Sequence, residues 1–107
     1  MEIRFYTTAS GRSPVEKYLE SLEVKERALV LDVLDEIQSR GLNSTIADIK
    51  QIEGKLWETR ISRHRVFYVA ITGPLMVLLH AYKKQSQKAP LQEIETARTR
   101  MKEVLRG

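Results

Sequence analysis

The chain has no cysteine, so disulfide bonds and thiol chemistry are excluded. No run of about 18 apolar residues occurs, so no helix long enough to cross a bilayer is expected. The first residues, MEIRFYTTAS, show no basic-then-apolar leader pattern, and a cytoplasmic protein is expected. Histidine is scarce: His64 and His80 are the only two, and carboxylates are sparse near both, so no metal site and no cofactor are expected. There is no phosphate-binding glycine-rich loop and no nucleophile elbow. Most telling is a missing sign of charge. From Thr59 through Gln92 there is no acidic residue, yet Arg60, Arg63, Arg65, Lys83, Lys84 and Lys88 all lie in that stretch.

What is present fits one small domain spanning the 107 residues, with 42% apolar composition. The net charge of +4 is unevenly spread. Residues 1–54 carry 7 basic and 10 acidic side chains, whereas residues 55–107 carry 11 basic and 4 acidic. A one-sided positive field of this kind suits a polyanionic partner, of which nucleic acid is the commonest.

Periodicity predicts the elements. Glu2 to Thr7 reads as a short strand. Ser13-Pro14-Val15-Glu16 is a helix start with a capping serine, proline in the first turn and glutamate three residues on. That helix should end near Ser21–Leu22. A second runs from about Val24 to Arg40, with Val30, Val33, Leu34 and Ile37 as its stripe and Gly41 ending it. Residues 42–54, with Ile46, Ile49 and Ile52, read as an irregular segment or a helical turn. Three strands follow, LWETRIS, RVFYVA and LMVLLHAYK, the last two joined by a turn at Thr72-Gly73-Pro74. A final helix opens at Ala89-Pro90 and runs to about Leu105.

The order β-α-α-β-β-β-α predicts an α+β fold: a small antiparallel or mixed sheet, a helical hairpin on one face and a C-terminal helix. If the three long strands form a meander without bulges, one face carries Trp57, Ile61, Val66, Tyr68, Val77, Leu79 and Ala81 for the helices. The other then collects Glu58, Arg60, Arg65, Phe67, His80, Tyr82 and Lys84. Arg60 would face Arg65 across a strand pair, a repulsive arrangement unless an anion binds there or Glu58 neutralises one of them.

Such a face has the parts to cleave RNA through its own 2′-hydroxyl, which needs proton transfer and cations for the transition state but no metal. Arg60, Arg65 and Lys84 are the phosphate-binding candidates, His80 the acid–base candidate, and Tyr82 a proton donor or base-stacking ring. Arg63, His64, Lys83 and Lys88 are candidates for further RNA contacts. Two readings of His80 stand side by side, since a lone histidine ending the run LMVLLH also suits a satisfied core position.

The segments LWETR (56–60), RVFY (65–68), LLHAYKK (78–84), QKAP (87–90) and EIETA (93–97) resemble, in order and spacing, the phage-derived HigB-like branch of the RelE/ParE toxin superfamily. The resemblance covers about residues 50–105. It implies the toxin of a type II toxin–antitoxin pair, an endoribonuclease acting on mRNA, typically at the ribosome. It implies a partner antitoxin with a helix-turn-helix domain related to Cro and cI repressors, through which alone operator DNA would be met. By position it gives Arg60 and Arg65 the scissile phosphate and Lys84 a basic site at the strand end. His80 and Tyr82 stand where that branch has histidine and an aromatic. His64 is a further histidine able to move protons. Some superfamily members inhibit gyrase instead, and a non-catalytic nucleic-acid-binding module is a third reading.

Overall fold

The structure, a computed structural model, describes residues 1–41, 47–72, 75–86 and 90–106. The expected turn at Gly73-Pro74, Ile46 of the expected irregular segment, and Gln87, Lys88 and Ala89 lie outside the described residues. The elements are β1 (Glu2–Phe5), α1 (Pro14–Glu20), α2 (Val24–Arg40), β2 (Asp48–Glu53), β3 (Leu56–Ile61), β4 (His64–Ile71), β5 (Leu75–Lys83) and α3 (Leu91–Arg106). The sheet has five strands in the order β1-β5-β4-β3-β2, with β1 parallel to β5 and the other pairs antiparallel.

The helix starts and stops follow local chemistry. Ser13 Oγ accepts from the backbone N–H of Glu16 at 3.3 Å, and Pro14 occupies the first turn, where its missing N–H costs nothing. Gly41 ends α2 at φ 65°, a left-handed value that a residue with a Cβ resists. The α1–α2 pair covers one face of the sheet. Val15, Leu19, Val30, Leu34 and Ile37 meet Ile61, Val66, Tyr68, Met76, Leu78 and Ala81 there.

Two features correct the sequence-based expectation. Residues 48–53 form a fifth strand, β2, rather than an irregular segment or helical turn. The isoleucine spacing of three misled because Ile49 packs toward the α1–α2 face and Ile52 toward the opposite one. Three steps along a strand change faces, and a register shift between Gln51 and Glu53 adds to the irregularity.

The second correction lies in β5. Phe67 pairs with His80 but Tyr68 pairs with Leu78, so Leu79 is an extra residue in the strand. This bulge reverses the alternation. Met76 and Leu78 face α1–α2, whereas Val77 and Leu79 face the other way. His80 and Tyr82 keep the face expected for them, on the same side as Phe67. The second face is also not fully open. α3 covers one end of it, where Leu56, Val69, Val77, Leu79 and Ala97 form a second apolar cluster with Ile94, Met101 and Val104 at its border.

Candidate nucleic-acid interface

The uncovered end of the second face is a polar grid set by register. One row across the sheet runs Lys50, Glu58, Phe67, His80, and the next runs Asp48, Arg60, Arg65, Tyr82. Arg60 and Arg65 are paired directly across β3 and β4. Their charges are handled differently. Arg60 Nε donates to Glu58 Oε1 at 3.3 Å, and Glu58 is only 6% exposed. Arg65 Nη1 donates instead to the carbonyls of Ser62 (2.8 Å) and His64 (3.0 Å), and no carboxylate pairs it among the described residues.

Those carbonyls belong to the tight β3–β4 turn, where Ser62 holds φ at 56°. The turn therefore aims both Arg63 and Arg65. Lys84 joins them because its backbone N–H donates to Arg63 O at 2.8 Å, extending the β4–β5 ladder by one residue. Arg63, Arg65, Lys84, Gln85 and Ser86 line a cleft of about 400 Å³. Among the described residues, three cations and no carboxylate line it. An adjoining cleft of about 260 Å³ adds Tyr82, Lys83, Pro90 and Glu93 to the residues around Lys84. Lys83 is exposed and pairs with His64 across the ladder, which turns its side chain toward the α1–α2 side.

Tyr82 joins a ring stack. Phe67, His80 and Tyr82 lie with centroids 5.8 to 6.3 Å apart and ring planes within 17° of parallel. Burial, and then the Glu58 carboxylate, push the Tyr82 hydroxyl up to about 12. At neutral pH it is therefore a proton donor. His80 is tied to α3 through both ring nitrogens. Arg100 Nη1 lies 3.1 Å from Nδ1, and Glu93 Oε1 lies 3.3 Å from Nε2. Arginine can only donate, so Nδ1 accepts and Nε2–H donates to the glutamate. Burial lowers the affinity of this imidazole for a second proton, outweighing Glu93. Neither nitrogen is left for substrate in this arrangement, which is the satisfied-histidine reading of the sequence.

His64 does not lie on the cationic face, contrary to its expected RNA contact. Its side chain is 1% exposed beneath α1 and α2. Tyr18 Oη sits 2.6 Å from Nδ1, and Nε2–H donates to Glu26 at 3.0 Å. Strand alternation explains this, since His64 precedes Arg65 and must point the opposite way. The structure thus gathers Arg63, Arg65 and Lys84 around one cleft, sets Tyr82 and Lys83 beside it and Arg60 in the adjacent row, and places His80 under α3. Sequence reasoning missed Glu93 and Arg100 as partners of His80. An acidic residue and a basic one two turns apart on α3 were the only signal, and it identifies no partner strand.

A five-stranded mixed sheet with two helices on one face and a C-terminal helix over part of the other defines a RelE-like α+β fold. Residues 17–102 match the family described as "Phage derived protein Gp49-like (DUF891)", and the chain belongs to that family. The fold is similar to a chain in the crystal structure of the RelB-RelE antitoxin-toxin complex from Methanococcus jannaschii. The TM-score is 0.53 at 17% sequence identity, covering 64% of this chain and 81% of that one. No curated protein matches the sequence.

Proposed function

We propose that this protein is the toxin of a type II toxin–antitoxin pair and a metal-independent endoribonuclease that cuts mRNA in the cytoplasm, at the ribosome. The observation that carries the reading is the cleft lined by Arg63, Arg65 and Lys84, without a carboxylate among the described residues, at the uncovered end of a RelE-like sheet. Arg65 and Lys84 hold the scissile phosphate and stabilise the charge that builds on it during attack by the 2′-hydroxyl. Arg60 adds to the field, reduced by Glu58. Tyr82 hydrogen-bonds the leaving 5′-oxygen. Arg63 contacts the flanking backbone, and the ring stack beneath Tyr82 fixes its plane. His80 holds that stack to α3. The partner is a helix-turn-helix antitoxin. Support for an antitoxin of some kind comes from the similar fold having been found in an antitoxin–toxin complex.

A specific observation favours a second reading, a nucleic-acid-binding module without catalysis. Both histidines are hydrogen-bonded within the protein, so no free imidazole faces the cleft among the described residues.

Transcript mapping during expression of the free protein separates the readings. Cut transcripts and arrested translation are expected, with Arg65→Ala and Lys84→Ala each abolishing both while circular dichroism stays native. Full toxicity of those variants would remove the cleft from the mechanism. Intact mRNA with a DNA-damage response would mean gyrase inhibition. Salt-dependent RNA binding without growth arrest would mean a binding module.

A further inference from the structure

The Glu93 carboxylate borders a surface that otherwise suits an anion. Two clefts meet at Lys84, Gln85 and Ser86. The larger is the cationic one, with Arg63 and Arg65. The smaller, of about 260 Å³, adds Tyr82, Pro90 and Glu93 and is a different kind of space. Tyr82 gives it an aromatic wall and Pro90 a second apolar one. The Phe67–His80–Tyr82 stack keeps the Tyr82 ring from turning.

Glu93 already has two structural roles. It lies in the first turn of α3, where negative charge suits the helix dipole. Its Oε1 accepts from His80 Nε2 at 3.3 Å. Arg100 holds His80 from the other side, so the bonded oxygen is fixed in place. Neither role needs the carboxylate to border a cleft, yet the side chain is 32% exposed there. Among the described residues, Lys84 does not pair with it and nothing bonds Oε2. An ionised carboxylate accepts hydrogen bonds and donates none. Beside a phosphate site it repels the anion, so the group it suits is a neutral one bearing N–H. A nucleotide has this division of charge: an anion joined through a sugar to a flat, uncharged ring.

We propose that the smaller cleft is a nucleobase subsite and that Glu93 makes it select guanine. The base attached to the bound phosphate stacks on Tyr82 and turns its Watson–Crick edge to Glu93. Guanine carries two adjacent donors on that edge, N1–H and the N2 amino group, and a carboxylate accepts both side by side. Cytosine and adenine each offer one amino group, next to a ring nitrogen that the carboxylate repels. Uracil offers N3–H between two carbonyls, which are repelled on both sides. Guanine therefore binds best and uracil worst. This rests on the RNA reading of the cationic cleft, and it holds whether or not the bound strand is cut.

The test titrates the full chain with guanosine, adenosine, cytidine and uridine monophosphates, in one series with the phosphate at the 3′ position and in another at the 5′. Amide NMR places the ligand. In one series guanosine monophosphate should bind about tenfold more tightly than uridine monophosphate and shift the Tyr82 and Glu93 amides. Glu93→Gln keeps the size and an acceptor for His80 but sets a donor against one of the guanine N–H groups. That variant should lose the preference for guanosine over uridine. Tyr82→Leu should weaken all the nucleotides alike, because stacking is tolerant of the base. In transcript mapping, the sites cut by the unaltered protein should be rich in guanine at one fixed position, and those cut by Glu93→Gln should not.

A purely structural Glu93 would make Glu93→Gln weaken every nucleotide alike, and that result overturns the proposal. Equal affinity of the unaltered chain for guanosine and uridine monophosphates overturns it too, as does no binding at millimolar nucleotide. Guanine-selective binding that Glu93→Gln removes, with transcripts left whole, would keep the subsite and remove the nuclease. Cut transcripts without a base preference would do the reverse.

Discussion

The two ends of one sheet face make a controlled comparison. At one end Leu56, Val69, Val77 and Leu79 lie beneath α3 and exclude water. At the other, Arg60, Arg65, Tyr82 and Lys84 lie beyond the helix, beside clefts open to solvent. The same strands, β3, β4 and β5, serve both ends. The device that separates them is the bulge at Leu79. Met76 to Leu79 feed apolar side chains to both faces by ordinary alternation. The phase then resets, so that His80 and Tyr82 line up with Phe67 and Arg65. Without it, Tyr82 would point into the α1–α2 core.

The comparison predicts that stability depends on the covered end and function on the open one. Leu79→Ala removes a fully buried side chain under α3 and should cost about 2–5 kcal/mol in urea unfolding. Arg65→Ala should change stability by less than about 0.5 kcal/mol while removing the proposed RNA cleavage. If Leu79→Ala unfolds no more easily than Arg65→Ala, α3 does not seal the covered end.

Arg60 and Arg65 sharpen the contrast within the open end. Arg60→Ala would leave the Glu58 carboxylate, 6% exposed, without the arginine that now pairs it. A destabilisation of about 1–3 kcal/mol is expected, below that of a fully buried pair because the Arg60 side chain is 39% exposed. Arg65→Ala leaves two carbonyls at an exposed turn, which water can satisfy. Equal stability of the two variants would show that Glu58 does not depend on Arg60.

The boundary between the ends is held by Arg100. Its Nη1 donates to Leu79 O at 3.0 Å as well as to His80 Nδ1, and its guanidinium carbon lies 5.4 Å from the Tyr6 ring centroid. Arg100→Met keeps most of the side-chain volume but orphans the bulge carbonyl and the imidazole nitrogen. A loss of about 1–2 kcal/mol in thermal or urea unfolding is the expected outcome. No loss would mean that the bulge is fixed by the ladder alone.

Much of this was legible in the sequence, for identifiable reasons. The bounds of α2 were readable because its stripe is regular and Gly41 supplies a left-handed stop. The Arg60–Arg65 pairing was expected from a meander of the strands, and the structure makes it with a two-residue turn at Ser62-Arg63 rather than at the Arg63-His64 step between the expected strands. β2 was not readable, because a strand that sends Ile49 to one face and Ile52 to the other imitates helical spacing. The bulge was not readable either, since LMVLL is apolar in every phase and offers nothing for a register to grip. The burial of His64 needed only alternation from Arg65. The tying of His80 needed α3 docked at a known height, information that lies in tertiary packing and not in any local pattern.

His80 yields the smallest effect, and its sign can be worked out. Burial lowers the imidazole below its ordinary 6.5, and Arg100 lowers it further, against the opposing pull of Glu93. Above that ordinary value both folded and unfolded chains hold a neutral ring, and the group contributes no pH dependence. As pH falls through 6.5 the unfolded chain takes up a proton first, so it gains and the folded state loses. The loss continues until pH drops below the folded-state value and then levels off. His80→Gln cannot bind that proton. Melting temperatures measured from pH 7.5 down to 5 should therefore fall more for the unaltered protein than for the variant. A difference of the opposite sign would mean that Glu93 outweighs burial and Arg100. His80 would then be held to α3 as a cation, and the open end would begin with a charged imidazole rather than a neutral one.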